Sequence, residues 1–122
     1  MLLNDFFTIQ TIEVTGTEIK AGLAINTGHK IFEGHFPGQP VVPGVCMMEM
    51  VKEILEQAIE KKTNLVKANE MKFLAILDPS TNNIISATIK YNEGEDRSLS
   101  VVASLFKDEL IHLKFKGVLT VR

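Results

Sequence analysis

The sequence predicts an α+β domain in which an antiparallel sheet of about six strands wraps around one long helix. Three observations carry this reading. A wide apolar helical face runs over about residues 43–62. Segments with two-residue apolar alternation lie on both sides of it. Those after the helix are separated by hairpin-length turns with no crossover helix, which makes them antiparallel neighbours.

The elements follow in order. Phe7 to Val14 is rich in β-branched and aromatic residues, and Thr15-Gly16 is a turn signal. Ile19, Ala21, Leu23 and Ile25 alternate as a strand facing a core. Residues 27–42 read as a loop whose Gly34, Pro37, Gly38 and Pro40 restrict its shape. The helix begins at Pro43, since proline suits a first helical turn where its missing N–H is not needed. Val45, Met48, Lys52, Leu55 and Ile59 form one stripe, and Met47, Val51, Ile54 and Ala58 form the next. Lys61 and Lys62 would complement the helix dipole at its C-terminal end. Met71, Phe73 and Ala75 begin the later strands. The alternating sets Ile85 to Tyr91, Leu99 to Leu105 and Ile111 to Val121 follow. Asp78-Pro79, Asn92 to Asp96 and Lys107-Asp108-Glu109 are the turns between them. The run Phe73-Leu74-Ala75-Ile76-Leu77 is apolar on both faces, as a strand buried on both sides would be. A subunit interface would explain that, so at least a dimer is expected.

Composition bounds the function. A chain of 122 residues, 45% of them hydrophobic, fits one folded domain spanning residues 1–122. Its formal net charge of -2 lacks the basic excess of a nucleic-acid surface. The single cysteine, Cys46, cannot form an internal disulfide. Met1-Leu2-Leu3-Asn4-Asp5 does not read as a signal peptide, and no apolar run approaches a membrane span. A cytoplasmic location is therefore expected. No phosphate loop, dinucleotide fingerprint or Cys/His cluster suggests a cofactor or metal.

The chemistry concentrates between residues 34 and 49. His35 stands in a loop stiffened by Pro37 and Gly38, and Glu49 lies 14 residues on, past the Pro43-Gly44 helix entry. Neutral imidazole, with an ordinary pKa of about 6.5, is available as a base near neutral pH. Glu49 is the only strongly polar side chain from Val45 to Val51, among Cys46, Met47, Met48 and Met50. Partial desolvation there would raise its pKa and keep it protonated. The Gly44 N–H would lie at the helix N-terminus, where unpaired N–H groups carry partial positive charge. A base, an acid and an oxyanion donor together suit hydration or dehydration. The plainer readings are a loop histidine, a packing glycine and a solvated stripe of Glu49, Glu53, Glu56 and Glu60. His29 and His112 have no comparable setting and read as structural.

The segment His35-Phe36-Pro37-Gly38-x-Pro40-Val41-x-Pro43-Gly44-Val45-x-x-x-Glu49 resembles the signature of the 3-hydroxyacyl-[acyl carrier protein] dehydratases of the FabZ and FabA type. The glutamate resembles the FabZ branch, and Met71-Lys72-Phe73-Leu74 is a weaker match to the strand after the helix. Two features depart from the pattern. The Leu-Pro-His-Arg-like N-terminal segment has no counterpart, and Lys52-Glu53 stands where the family tends to have Ala-Gln.

The resemblance implies a hotdog fold and removal of water from a 3-hydroxyacyl-[acyl carrier protein] thioester, giving the trans-2-enoyl thioester, in fatty-acid-like or polyene biosynthesis. It implies that His35 takes the α-proton and that Glu49 gives a proton to the departing hydroxyl. Gly44 would bind the thioester oxygen, with Phe36 and Val45 against the substrate. Glu49 would act with His35 of the partner subunit in a homodimer or an assembly of dimers. No cofactor is needed. An acidic carrier protein would favour lysines near the site, with Lys30, Lys61, Lys62, Lys67 and Lys72 as candidates. A hotdog thioesterase and a non-catalytic acyl-carrier-binding subunit are the alternatives.

Overall fold

The computed structural model describes residues 1–34 and 41–122. Among these, the strands are β1 (Phe7–Thr15), β2 (Glu18–Ile25), β3 (Thr63–Phe73), β4 (Ile84–Glu93), β5 (Ser98–Lys107) and β6 (Leu110–Val121). A short helix α1 (Ile31–Gly34) and a long helix α2 (Gly44–Ile59) lie between β2 and β3. The strands form one sheet in the order β1-β2-β4-β5-β6-β3. Every neighbouring pair is antiparallel. This is the α+β hotdog arrangement the sequence predicts, a six-stranded antiparallel sheet around a main helix.

Alternation decides which face of the sheet is covered. Ile19 and Leu23 of β2 pair with Ile89 and Ile85 of β4, and all four are buried. Leu99 and Leu105 of β5 pair with Leu119 and Leu113 of β6, also buried. Met47, Met50, Val51, Ile54 and Leu55 of α2 complete the same core. Burial of each large apolar side chain stabilises the fold by about 1.5–3 kcal/mol relative to exposure.

Four expectations are corrected. Pro43 is the N-cap, with extended φ -62° and ψ 147°, so the helix begins one residue later, at Gly44. It ends at Ile59 rather than near residue 62. Glu60 takes the left-handed conformation (φ 59°) and donates its N–H to the Glu56 carbonyl, so Lys61 and Lys62 lie beyond the last turn. Ile31 to Gly34, expected within a loop, form α1.

The fourth correction concerns β3, which starts at Thr63 rather than Met71. Its register against β6 shifts between Leu65 and Lys67 and again between Ala68 and Glu70. Each bulge inserts a residue and breaks the two-residue period. Gly117 of β6 sits opposite this irregular stretch, where a side chain would meet the Lys67 carbonyl and the Phe115 ring. The apolar run after Met71 is not buried on both sides within this chain. Phe73, Leu74 and Ile76 are 49%, 55% and 71% exposed, while Leu77 is fully buried.

Candidate active site at the start of the long helix

Gly44 is the first residue of α2, so its N–H has no intrahelical acceptor. The Pro43 carbonyl already accepts the N–H groups of Cys46 and Met47 at 3.0 and 3.1 Å. Phe73, at the end of β3, packs on Gly44. A Cβ there would stand 2.8 Å from two of its ring carbons. A groove of about 380 Å³ opens beside them, lined by Val41, Val42, Met47, Leu74, Ile76 and neighbouring residues. Its walls are mostly apolar and its rim carries the helix N-terminus, an arrangement suited to a chain ending in a polarisable carbonyl. Val45 is 77% exposed next to Gly44. A larger depression bounded by Lys61, Glu93, Arg97 and Arg122 lies past the other end of α2 and holds none of Gly44, Val45 and Glu49.

Glu49 lies in the second turn of α2 and is partly buried. Burial pushes its carboxyl above the ordinary range, helped by a side-chain hydrogen bond with Glu53. The Lys52 ammonium, 4.0 Å away, opposes this, and the charges of Glu53 and Glu56 add to it. Glu49 therefore holds a proton more readily than an ordinary glutamate, the direction that favours proton donation.

Of the carboxylates after it, Glu53 and Glu56 are buried rather than part of a solvated stripe, and only Glu60 is exposed. Glu53 is 1% exposed and accepts the Leu2 N–H on Oε2 at 2.9 Å and the Leu3 N–H on Oε1 at 2.7 Å. Burial pushes the Glu53 carboxyl up, but its hydrogen bonds to Glu49 and to these two N–H groups prevail and hold it below its ordinary value. Glu56, also buried, accepts the Thr63 N–H and hydroxyl at 2.6 and 3.1 Å and pairs with Lys52 at 3.4 Å. Sequence reasoning missed these roles, and only the burial of the two side chains carried a signal. Met50, Val51, Ile54 and Leu55 flank the carboxylates so closely that a wide polar face is excluded.

The remaining candidates are located as follows. His35 and Phe36 lie outside the described residues. His29 accepts the Ile31 N–H on Nδ1 at 3.1 Å, so its Nε2 carries the proton and donates to Asp5 Oδ2 at 3.1 Å. His112 is buried, with Nδ1 bonded to the Ala75 carbonyl at 3.1 Å. Cys46 is buried, and burial followed by the Glu49 charge pushes its thiol up, away from a nucleophilic thiolate. Lys30, Lys61, Lys62, Lys67 and Lys72 are all exposed. Only Lys72 adjoins a residue of the groove, Phe73. Among the described residues no cluster of His, Cys, Asp and Glu fits a metal ion, and no helix is long and apolar enough to cross a membrane.

A family model described as ApeI-like, ApeI dehydratase, matches residues 11–118. The chain belongs to the ApeI-like dehydratase family. Relatives named 3-hydroxyacyl-[acyl-carrier-protein] dehydratase FabZ agree with this assignment. That of Oenococcus oeni is 28% identical over 99 residues, covering 73% of this chain and 71% of the relative. That of Mannheimia succiniciproducens is 35% identical over 63 residues, covering 52% of this chain and 41% of the relative. The match to this second relative thus spans less than half its length. Among solved structures, Cj0977, a sigma28-regulated virulence protein of Campylobacter jejuni, superposes with a TM-score of 0.71 at 12% identity, over 97% of this chain and 85% of that one. The dehydratase heterocomplex ApeI:P from Xenorhabdus doucetiae gives a TM-score of 0.64 at 21% identity, over 90% of this chain and 95% of that one. At these identities the structural likeness establishes the fold.

Proposed function

We propose that this ApeI-like family member is a hydro-lyase that removes water from a 3-hydroxyacyl thioester carried on acyl carrier protein. The observation that carries this reading is a partly buried Glu49 one and a half turns after a helix N-terminus whose first residue, Gly44, lines an apolar groove.

In the proposed reaction the thioester carbonyl sits at the Gly44 N–H and the acyl chain lies in the apolar groove beside Phe73, with Phe36 and Val45 against the substrate. His35 takes the α-proton. The C–H electron pair moves toward the carbonyl, and negative charge grows on the thioester oxygen at the helix N-terminus. The Cβ–O bond then breaks as the α,β double bond forms, and the Glu49 proton leaves with the hydroxyl as water. The base and acid are restored when His35 loses a proton and Glu49 regains one through solvent. No electron carrier enters this balance.

A site shared between two copies is part of the proposal. Gly44 and Glu49 are five residues apart, about 7.5 Å along the helix and about 140° around it. One substrate at Gly44 is therefore poorly placed for Glu49 of the same chain, and the acid is supplied by a second copy. The exposed β3 edge and the exposed side chains of Val45, Phe73, Leu74 and Ile76 offer an apolar surface for that copy. The ApeI of the Xenorhabdus heterocomplex sits with a different chain, so an unlike hotdog partner is the second reading of the assembly.

The test is purified protein with 3-hydroxyacyl-carrier protein of several chain lengths, the product followed by mass spectrometry. Water loss to the enoyl thioester is expected. Free acid with released carrier thiol would instead indicate a thioesterase. Binding without water loss at any length would indicate an acyl-carrier-binding subunit.

A further inference from the structure

Glu53 stands one helical turn after Glu49 on the same side of α2. It is nearly inaccessible to solvent, yet both its oxygens are occupied, one by the Leu2 N–H and the other by the Leu3 N–H. The segment that delivers these groups is itself held. The Leu2 carbonyl accepts the Phe6 N–H at 2.7 Å, Leu3 bridges to Phe7, and Phe6 and Phe7 are buried. A carboxyl group that accepts a backbone N–H on each oxygen is best satisfied as the anion, because a protonated oxygen is a poor acceptor. With Glu53 as the anion, Glu49 is the donor in the side-chain hydrogen bond between the two carboxyls.

We propose that Glu53 is a positioning residue for Glu49, a buried anion that orients its carboxyl and keeps its proton in place until a substrate hydroxyl departs. This rests on the proposed role of Glu49 as the acid. It assigns a task to the glutamate that stands where FabZ-like chains tend to carry glutamine.

Charge supports the assignment. Once Glu49 gives up its proton, two carboxylates face each other within one turn. Among the described residues, the other charged groups facing the pair are Lys52, Glu56 and the amino terminus of Met1. Lys52 is nearer to Glu56, at 3.4 Å, than to Glu49, at 4.0 Å, so it offsets the repulsion only in part. The deprotonated acid is disfavoured and recovers a proton from solvent, which readies the site for another turnover. A neutral glutamine at position 53 would instead donate an amide N–H to the Glu49 carboxylate and favour the charged form.

The test combines a side-chain carboxyl NMR titration with a pH–rate profile, on the wild type, Glu53→Gln and Glu49→Gln. The Glu49 signal is identified by its loss in Glu49→Gln. In the wild type it is expected to titrate above an ordinary glutamate, while Glu53 stays ionised. In Glu53→Gln the Glu49 midpoint falls, and the alkaline limb of the rate profile moves to lower pH by the same amount. A glutamine that merely loosened the fold would lower the rate evenly across pH. An ordinary glutamate titration for Glu49 in the wild type overturns the proposal even if Glu53→Gln does not fold. Full activity of Glu49→Gln overturns the acid assignment itself, whatever the titration shows.

Discussion

The ring of Phe73 lies against Gly44, so close that a Cβ on Gly44 would come within 2.8 Å of two ring carbons. One contact thus joins the first N–H of α2 to the end of β3 and to the apolar groove. Phe73 is half exposed, so its ring can swing away from an added methyl group. Gly44→Ala is therefore expected to cost only about 1 kcal/mol of stability, while displacing a groove wall beside the proposed oxyanion donor. A fall in kcat/KM of about tenfold or more is expected. Partial recovery in the double variant with Phe73→Ala would identify the ring as the cause, and a thermal melt beside the steady-state assay separates the two effects.

Glu56 and Thr63 tie the end of α2 to the start of β3. Thr63→Val removes the hydroxyl bond but keeps the N–H bond, and should cost about 1 kcal/mol. Glu56→Ala leaves a buried N–H without its acceptor and should cost about 1–3 kcal/mol. Urea unfolding of both variants checks the order.

Acid stability should depend on Glu53. Its pKa is lower folded than unfolded, so the unfolded chain binds more protons as pH falls through the ordinary carboxylate range. The stability that Glu53 contributes is complete above its unfolded pKa and is lost as pH falls through its folded one. Glu49, with its pKa raised, has the opposite sign: stability declines as pH rises from its unfolded value to its folded one. Glu53→Ala should flatten the acid side of a plot of Tm against pH, and Glu49→Gln should remove the decline on the other side.

The exposed run after β3 should report on assembly. Ile76 is 71% exposed in one chain, and a carboxylate there would resist burial against another apolar surface. Ile76→Glu is expected to shift the protein toward monomer in light scattering with little change in helical signal. An unchanged mass would remove Ile76 from the interface.

The parts of the fold most legible in the sequence are those where one face alone is buried. Ile19 to Ile25 and Leu99 to Leu105 alternate because the pleat sends every second side chain into the core. β3 escaped that logic. Its bulges after Leu65 and Ala68 break the period, and Leu65, Val66, Lys67 and Ala68 are all exposed. The partial burial of the Glu49 carboxyl was legible, since apolar neighbours surround it in the sequence. The work of Glu53 was not, because its partners Leu2 and Leu3 lie 51 and 50 residues away. Nor was the packing of Phe73 on Gly44, which only the sheet topology creates.

Mixing two inactive variants tests the central claim most directly. His35→Ala and Glu49→Gln should each lose about 10²- to 10⁴-fold in water removal from 3-hydroxyacyl-carrier protein. Co-refolded in equal amounts, they should recover about a quarter of the wild-type rate, because half the dimers would carry one intact site. Wild-type turnover by Glu49→Gln alone would contradict the account.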